Sequence, residues 1–270
     1  MAEMEKMVHS TRKKQDPESG IQNPLASTQK PSPRELLSLD LDFMDYRKAL
    51  DLQLHLVNAR HDRILETDAV LFLEHPPVFT MGRRGNLQSL KVSKSFLESR
   101  GIPVIPVERG GDITYHGPGQ LVVYPVLDLR ASGWRVVDFV EALEEVMIRT
   151  LRDWGIKAVR NPKNRGVWVG PSKIGCIGIA VRRSISFHGL ALNVNTDLEP
   201  FNWVHPCGLH GVCMISMKEI MGKEILMEDV RRATGTHIQE VFDVRLKPKT
   251  LDEILHLLES EISTPDRKAI

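Results

Sequence analysis

The sequence predicts a single large α/β domain. Its 270 residues suit one domain of this size or two small ones, and a chain of this length buries most of its unfolded surface. Apolar residues make up 41% of the chain and charged residues 26%, which are ordinary values for a globular protein. Short apolar segments of strand length recur between longer segments that carry a helical apolar stripe. Wholly disordered, collagen-like and disulfide-built proteins are therefore excluded.

The charge balance and the cysteines limit the partners and the location. The 36 Lys and Arg against 35 Asp and Glu give a formal charge of +1, which offers no overall field for nucleic acid or an anionic membrane. Ala69–Leu73 is among the longest apolar runs, far below the about 18 residues that a membrane span requires. Cys176, Cys207 and Cys213, with no signal segment at the start of the chain, favour three thiols in a reducing cytoplasm. We expect a cytoplasmic protein that binds neither nucleic acid nor a membrane.

Composition divides the chain into three parts. Residues 1–34 mix a basic stretch at Arg12–Lys14 with scattered acids and prolines, and they lack a periodic apolar face. Such a segment cannot bury enough surface to offset its ordering entropy, so we predict a flexible N-terminal extension. Residues 35–245 are predicted to form the functional domain, and residues 246–270 a C-terminal helix and a loose tail.

The first half predicts one helix and three extended segments. Tyr46–Arg60 fits a largely covered helix, and the five apolar residues Ala69–Leu73 fit a strand. Ile102–Val107 is predicted to be an edge or irregular strand because it holds two prolines. Leu121–Leu129 is almost entirely apolar, as expected for a strand covered on both faces, although Pro125 is unusual in such a strand.

The second half predicts three helices and a hairpin. Trp134–Trp154 carries a broad helical stripe, and Gly155 follows it where a left-handed C-terminal cap is expected. After a short extended segment at Gly166–Val169, Lys173–Val181 and Ser184–Val194 are predicted to pair as a hairpin. The closing helices are predicted at Met227–Phe242 and Leu251–Ile262.

The segment Arg109–Gln120 has the composition of a binding loop. It holds four glycines and a proline among twelve residues, which makes a poor strand or helix but lets a backbone come close to a ligand. The alternative is a glycine-rich turn in which Tyr115 and His116 only form structural hydrogen bonds. The segment lacks the Lys-Ser/Thr ending of a P-loop and the glycine spacing of a dinucleotide fingerprint, so nucleotide phosphate binding is not indicated.

The segment His205–Cys213 holds the candidate nucleophile. Cys207 is flanked by Pro206 and Gly208, which favour a turn where the sulfur is exposed and nearby backbone N–H groups stabilise a thiolate. One alternative is a buried, inert thiol. The other is a zinc site, and its four possible ligands are His205, Cys207, His210 and Cys213. Their spacing does not match the paired patterns that are common in zinc sites.

Lys173 is a candidate functional residue because of the sequence motifs around it. A lysine at the start of a strand is ordinarily a solvated surface charge. Here Lys173 begins the motif Lys-Ile-x-x-Ile-Gly at 173–178, and Ser-x-His-Gly-Leu-Ala-Leu-Asn follows at 186–193. The other two motifs are Arg-Gly-Gly-x-x-Thr-Tyr-His-Gly-Pro-Gly-Gln at 109–120 and Pro-Cys-Gly at 206–208.

Taken together, these four motifs resemble the lipoyl(octanoyl) transferase family, the octanoyltransferases of lipoate biosynthesis. The resemblance covers about Tyr46–Val244 and leaves out the N-terminal extension. It implies a single α/β catalytic domain over 35–245 that shares the fold of biotin and lipoate protein ligases, with mixed sheets packed with helices. It also implies that Cys207 is the acyl-accepting nucleophile and that Lys173 activates it.

The resemblance further implies which residues line the acyl substrate. They are Arg109, Gly110, Gly111, Asp112, Ile113, Thr114, Tyr115, His116, Cys176, Ile177, Gly178, Gly189, Leu190 and Ala191. His116 is the candidate for orienting the acyl thioester or moving protons, with a structural hydrogen bond as its alternative role. Gly175 and Cys176 stand where the family often has small residues such as alanine.

The implied reaction moves an octanoyl group from octanoyl-acyl carrier protein, through a thioester on Cys207, to a lysine of a lipoyl domain. The acceptors that the family implies are lipoyl domains of 2-oxoacid dehydrogenase complexes or the glycine cleavage H protein. Because thioester exchange is nearly balanced and amide formation from a thioester is downhill, the reaction needs no ATP, and no cofactor or metal is implied. A monomer is expected.

Three further hypotheses follow. Acyl carrier proteins are acidic, so the basic residues Arg83, Arg84, Arg182 and Arg183 are predicted to form a docking patch in an otherwise neutral chain. The rival enzyme is an ATP-dependent lipoate or biotin protein ligase, which has no need of a thiol nucleophile. A zinc-binding structural protein built on the 205–213 cluster is the alternative from another class.

Overall fold

The structure is a computed structural model, and it describes residues 33–161, 164–204 and 212–262, with side chains up to residue 259. The strands are β1 (Arg34–Phe43), β2 (Asp68–Glu74), β3 (Val78–Met81), β4 (Val104–Pro106), β5 (Ile113–His116), β6 (Gln120–Val126), β7 (Val159–Arg160), β8 (Val167–Val169), β9 (Ser172–Arg182), β10 (Ile185–Asn193) and β11 (Val244–Pro248). The helices are α1 (Tyr46–His61), α2 (Lys94–Ser99), α3 (Val136–Asp153), α4 (Met217–Met221), α5 (Met227–Phe242) and α6 (Leu251–Ile262). Short 3-10 helices lie at Leu87–Ser89 and Glu199–Trp203.

The described strands form two mixed sheets. The larger has the order β11-β1-β2-β6-β10-β9-β8-β7, in which β1 pairs in parallel with β11 and β2 and the other pairs are antiparallel. The smaller has the order β4-β3-β5, with one parallel and one antiparallel pair. The prediction of an α/β fold with mixed sheets packed with helices is confirmed.

The larger sheet is covered on both faces, which explains its continuous apolar runs. Along β2, Val70 and Phe72 belong to the core under α3 and α5, whereas Leu71 and Leu73 belong to the core under α1. Successive side chains of a strand point to opposite faces, so a strand between two helical layers is apolar at every position. A third, smaller core, which includes Phe79, lies against the small sheet.

The helices begin and end largely where the sequence predicts. Helix α1 starts at Tyr46, after Asp45, whose carboxylate accepts hydrogen bonds from two backbone N–H groups of the first turn. Beyond the end of α3, Gly155 has the expected left-handed conformation with φ +72°. The predicted bounds of α5 and α6 match those observed. No helix in the described ranges is both long and apolar enough to cross a membrane.

Three details of the predicted strands need correction or addition. The glycine-rich segment contains a strand, β5, because residues 113–116 pair with β3 in the smaller sheet. Strand β1 was not predicted from the sequence, and it forms through parallel pairing with β2 and β11. Pro125 fits within β6 because the pairing of β6 with β10 stops at Val123, and the Ser186 hydroxyl then bonds the Pro125 carbonyl and the Leu127 N–H.

The predicted N-terminal part and the predicted boundary at residue 245 can each be compared with the structure. Residues 1–32 lie outside the described residues, so the flexible extension stays a prediction. The proposed boundary at residue 245 falls within β11, which pairs with β1. The following helix, α6, buries Ile254 in the core that also contains Leu56.

Candidate active site

Three segments that are distant in the sequence line one cavity. They are the glycine-rich segment, the middle of β9 and the middle of β10, joined by a residue each from α1 and β6. Its lining consists of Tyr46, Arg109, Gly110, Gly111, Asp112, Ile113, Thr114, His116, Tyr124, Cys176, Ile177, Gly178, His188, Gly189, Leu190 and Ala191. The structure therefore brings together all the residues predicted to contact the substrate except Tyr115.

Tyr115 does not line the cavity because side chains alternate along β5. Thr114 and His116 face the cavity, and Tyr115 points to the other face of the strand. There its ring packs 5.3 Å from the ring of Phe79 and 5.6 Å from that of Phe201, measured between ring centres. Tyr115 thus belongs to the core of the smaller sheet.

Arg109 places a buried cation at the cavity wall. Its side chain donates to the Thr80 carbonyl at 2.5 Å, to the Thr80 hydroxyl at 2.8 Å and to the Gly110 carbonyl at 3.0 Å. A Cβ at position 178 would lie 2.9 Å from Arg109 Cδ, so glycine at this point of β9 lets the arginine pass. The residue is only 7% exposed. Its charge therefore acts in a poorly solvated region, where electrostatic interactions are strong.

Five buried aromatic and imidazole side chains gather beside the cavity. They are Tyr46, His75, His116, Tyr124 and His188. His75 Nδ1 contacts the carbonyl of Met44 at 2.7 Å, and its Nε2 contacts the Tyr124 hydroxyl at 2.8 Å. His116 Nδ1 lies 2.7 Å from Gln120 Oε1, and His188 Nδ1 lies 3.4 Å from the Tyr46 hydroxyl.

Burial keeps these imidazoles neutral. It lowers the pKa of His75 to about 4 and that of His188 to about 3, and the nearby Arg109 charge lowers the second further. The pKa of His116 falls well below its ordinary value, first through burial and then through His75 and Arg109. Among the described residues, His188 Nε2 has no hydrogen-bond partner. The group can therefore offer neutral donors or acceptors to a bound molecule.

Sequence reasoning missed most of this group. It singled out His116, but it gave no role to Tyr46, His75, Tyr124 or His188. His188 lies inside one of the quoted motifs, which is a signal that could have drawn attention to it. Tyr46 begins α1, His75 follows the end of β2 and Tyr124 lies within β6, and no motif includes them.

Lys173 is buried at the start of β9. It is 2% exposed, and its Nζ donates to Asn164 Oδ1 at 2.5 Å and to the Arg165 carbonyl at 2.7 Å. Gly166 has φ +116°, and a Cβ there would lie 2.7 Å from Lys173 Cε. Burying an ammonium costs free energy unless it is hydrogen-bonded, and the oxygens of Asn164 and Arg165 accept hydrogen bonds from this one. This is not the environment of an ordinary surface lysine.

Cys207 lies within residues 205–211, which are outside the described residues. The structure therefore gives no distance between Cys207 and Lys173. The described residues on either side fix where this segment starts and ends. Val204 forms a bridge with Leu90, and the Cys213 carbonyl accepts the backbone N–H of Lys173 at 2.9 Å. The chain that follows residues 205–211 therefore lies against the strand that carries Lys173.

The zinc hypothesis also concerns residues that are mostly outside the described ranges. Of its four possible ligands, only Cys213 is described, and it is an exposed thiol. Within the described part of the chain, no group of three or more His, Cys, Asp or Glu residues is arranged to hold a metal ion.

Comparison with known proteins shows the class of protein to which the chain belongs. Residues 45–239 match the family model of the lipoyl protein ligase A/B catalytic domain. The fold is similar to the crystal structure of a lipoate-protein ligase A bound with ATP, with a TM-score of 0.65, 18% identity, and coverage of 85% of this chain and 92% of that one. A bi-partite lipoate protein ligase from Thermoplasma acidophilum gives a TM-score of 0.61 at 18% identity, over 85% of this chain and 90% of that one. At such identities the likeness concerns the fold alone.

Curated relatives show which family within this class the chain belongs to. A protein from Syntrophobacter fumaroxidans named octanoyltransferase is 49% identical over 225 residues, which are 83% of this chain and 98% of the relative. An octanoyltransferase from Desulfotalea psychrophila is 47% identical over 206 residues, which are 76% of this chain and 92% of the relative. The chain belongs to the octanoyltransferase family, and the resemblance carried by the four motifs is confirmed.

Proposed function

We propose that this octanoyltransferase takes an octanoyl group from the thioester of octanoyl-acyl carrier protein and transfers it to a lysine of a lipoyl domain, with Cys207 as the intermediate acyl carrier. The observation that carries the proposal is the buried Lys173, whose backbone N–H bonds the carbonyl of Cys213, six residues after Cys207 in the sequence. Acyl transfer in lipoate biosynthesis follows from membership of the octanoyltransferase family.

A thiol needs a nearby cation to react at neutral pH. A free cysteine has a pKa near about 8.5, so only a few per cent of it is thiolate at pH 7. Lys173 supplies a positive charge that favours the thiolate of Cys207. We expect the two groups to titrate as a coupled pair, because each charge stabilises the other.

The proposed cycle conserves atoms and protons. The Cys207 thiolate attacks the octanoyl carbonyl, a new carbon–sulfur bond forms, and the carrier's thiolate leaves and takes a proton from Lys173. The amine of the acceptor lysine then attacks the Cys207 thioester. An amide bond forms, the carbon–sulfur bond breaks, and neutral Lys173 removes the proton from the amine. Enzyme thiolate and ammonium are thereby restored.

The cavity is the proposed site for the acyl chain. Its wall includes Ile177, Leu190 and Ala191, and glycines at several positions leave room beside them. Each methylene buried there contributes about 0.8 kcal/mol, which lets the cavity distinguish chain lengths in steps. The proposed substrate contacts are the lining residues of the three motifs, Arg109–Thr114, His116, Cys176–Gly178 and Gly189–Ala191.

The proposed docking patch for the acidic carrier contains an acidic residue. Arg182 donates to Glu108 at 2.5 Å, and Arg83 lies 4.0 Å from the same carboxylate, so these arginines share one surface with Glu108. We expect the double variant Arg182→Glu, Arg183→Glu to slow acylation by octanoyl-acyl carrier protein at low salt. The rate with a small octanoyl thioester is the control and should not change. An unchanged rate with the carrier protein would exclude the patch.

Mass spectrometry tests the central step. The protein is mixed with octanoyl-acyl carrier protein without ATP, and an octanoyl adduct is expected on Cys207. Cys207→Ala should abolish the adduct and Lys173→Ala should slow its formation strongly, whereas the exposed-thiol control Cys213→Ala should form it normally. A protein that stays unmodified and turns over only with ATP would instead be a ligase. Stoichiometric zinc that is lost together with the fold in Cys207→Ser would support the structural alternative.

The acceptors that we propose are the lipoyl domains of 2-oxoacid dehydrogenase complexes or the glycine cleavage H protein. We further propose that the protein is a monomer and acts in the cytoplasm.

A further inference from the structure

Glu144 is a buried carboxylate that the proposed mechanism does not use. It lies in α3 and is 1% exposed. Its Oε1 accepts the backbone N–H of Gly166 at 2.8 Å, and its Oε2 lies 3.4 Å from Arg160 Nε and 3.5 Å from Arg165 Nη1. Burying a carboxylate costs free energy unless it is paired and hydrogen-bonded. All three of these contacts lead to residues 160–166.

The same segment holds the ammonium of Lys173. The Nζ atom donates to the side chain of Asn164 and the carbonyl of Arg165. Gly166 lies between the two charges, because its N–H bonds Glu144 and a Cβ on it would lie 3.2 Å from Lys173 Nζ. The carboxylate and the ammonium are therefore separated by the backbone of a single glycine.

The other charged groups at this place are paired at the surface. Arg165 contacts Glu141 at 3.3 Å, and Arg160 contacts Glu145 at 2.6 Å. Glu141 is 49% exposed in its side chain and Glu145 is 25% exposed, so water screens both. Glu144 is buried beside them and is much less screened.

We propose that Glu144 is a positioning residue, which holds residues 164–166 against Lys173 and uses its buried negative charge to keep that lysine protonated. The inference rests on the proposed role of Lys173 as the cation that stabilises the Cys207 thiolate and as the proton donor to the carrier's thiolate. It adds a third charged group, on a different element, to the proposed Cys207–Lys173 pair. Loss of the negative charge should make the ammonium lose its proton at lower pH.

The test is the pH profile of Cys207 acylation. Single-turnover adduct formation with octanoyl-acyl carrier protein is measured from pH 6 to pH 10 for wild type, Glu144→Gln and Glu141→Gln. Gln has the shape of Glu and can still accept the Gly166 N–H, so thermal unfolding should show a folded variant. We expect the alkaline limb of the Glu144→Gln profile to move down by about one pH unit, with about a tenfold lower rate above that limb.

Glu141→Gln is the matched control, because Glu141 lies on the same helix and contacts Arg165, yet no contact with Gly166 is found for it among the described residues. Its alkaline limb should coincide with that of wild type. If Glu144→Gln also coincides with wild type, the inference is overturned. A wild-type protein that forms no adduct would instead overturn the proposed function, so the two failures are distinct.

A second variant changes the contact between residues 164–166 and Lys173. Asn164→Ala removes the side-chain oxygen on Lys173 and should also lower the alkaline limb. In the double variant with Glu144→Gln the shift should be smaller than the sum of the two single shifts, since both act through one segment. Additive shifts would contradict the proposal, and an unchanged limb in Asn164→Ala would contradict it even if Glu144→Gln fails to fold.

Discussion

At the scale of single residues, the missing side chain of Gly189 lets two strands approach at the cavity. A Cβ at this position would overlap the carbonyl oxygen of Val123 and lie 2.7 Å from Pro125 Cδ. The preceding residue, His188, has φ +56°, an uncommon conformation for a residue with a side chain. Strand β10 is therefore bent and crowded where it lines the site.

We predict that Gly189→Ala lowers the free energy of unfolding by about 1–3 kcal/mol, because backbone atoms must move to admit the methyl group. Urea denaturation measures the change. The control is Gly110→Ala, where the nearest atom to the new Cβ lies 3.7 Å away, and its stability should stay within about 0.5 kcal/mol of wild type. Equal stability of both variants with wild type would show that β10 can shift without cost.

At the scale of elements, the β9–β10 hairpin carries two of the three groups of cavity residues. Its two-residue turn, Arg183 and Ser184, has φ values of +51° and +71°. Two positive φ values define the type I′ turn that matches the twist of the strands, and this turn favours glycine or asparagine. Here the pairing of the long strands imposes the turn on residues that disfavour it.

Ser184→Gly should raise the free energy of unfolding by about 0.5–1 kcal/mol, since glycine adopts the left-handed conformation without a steric penalty. The matched control is Ser172→Gly at the start of β9, where the same change should lower the stability because it adds flexibility to a strand. Thermal or urea unfolding of the two variants decides. A loss of stability in Ser184→Gly would contradict this account of the turn.

At the scale of the whole molecule, the buried neutral histidines make the fold sensitive to acid. Burial lowers the pKa of His75 to about 4 and that of His188 to about 3, whereas an unfolded histidine titrates near about 6.5. Below pH 6.5 the unfolded chain therefore binds protons that the folded chain does not. Stability is full above this pH and is lost as the pH falls toward 4.

We predict a loss of about 2 kcal/mol in the free energy of unfolding for each of these histidines between pH 7 and pH 5. His188→Asn tolerates the positive φ and should flatten the dependence, whereas the same change at the exposed His55 should leave it as in wild type. Urea denaturation at the two pH values checks this, and a pH-independent wild type would refute it.

Residues 1–32 give a further prediction at this scale. Because their composition predicts a flexible extension, removing them should leave the unfolding midpoint and the acylation rate of residues 33–270 unchanged. The two proteins are compared by thermal unfolding and by adduct formation. A lower midpoint in the shortened chain would show that the extension packs on the fold.

The elements that sequence predicted best are those whose signal is local. Helix α5 and the β9–β10 hairpin follow from apolar periodicity and from the order of neighbouring segments. The substrate-lining residues followed from the resemblance to the family, and Tyr115 was the exception because its direction depends on a strand that the glycine composition hides.

By itself the sequence determined the family, through four motifs in a fixed order, and the α/β class, through the periods of its apolar residues. Only the tertiary structure decided which buried groups meet. Tyr46 and His188 are 142 positions apart in the chain, and Glu144 reaches Gly166 across 22. No local pattern encodes such contacts, because they arise from the packing of whole helices and strands.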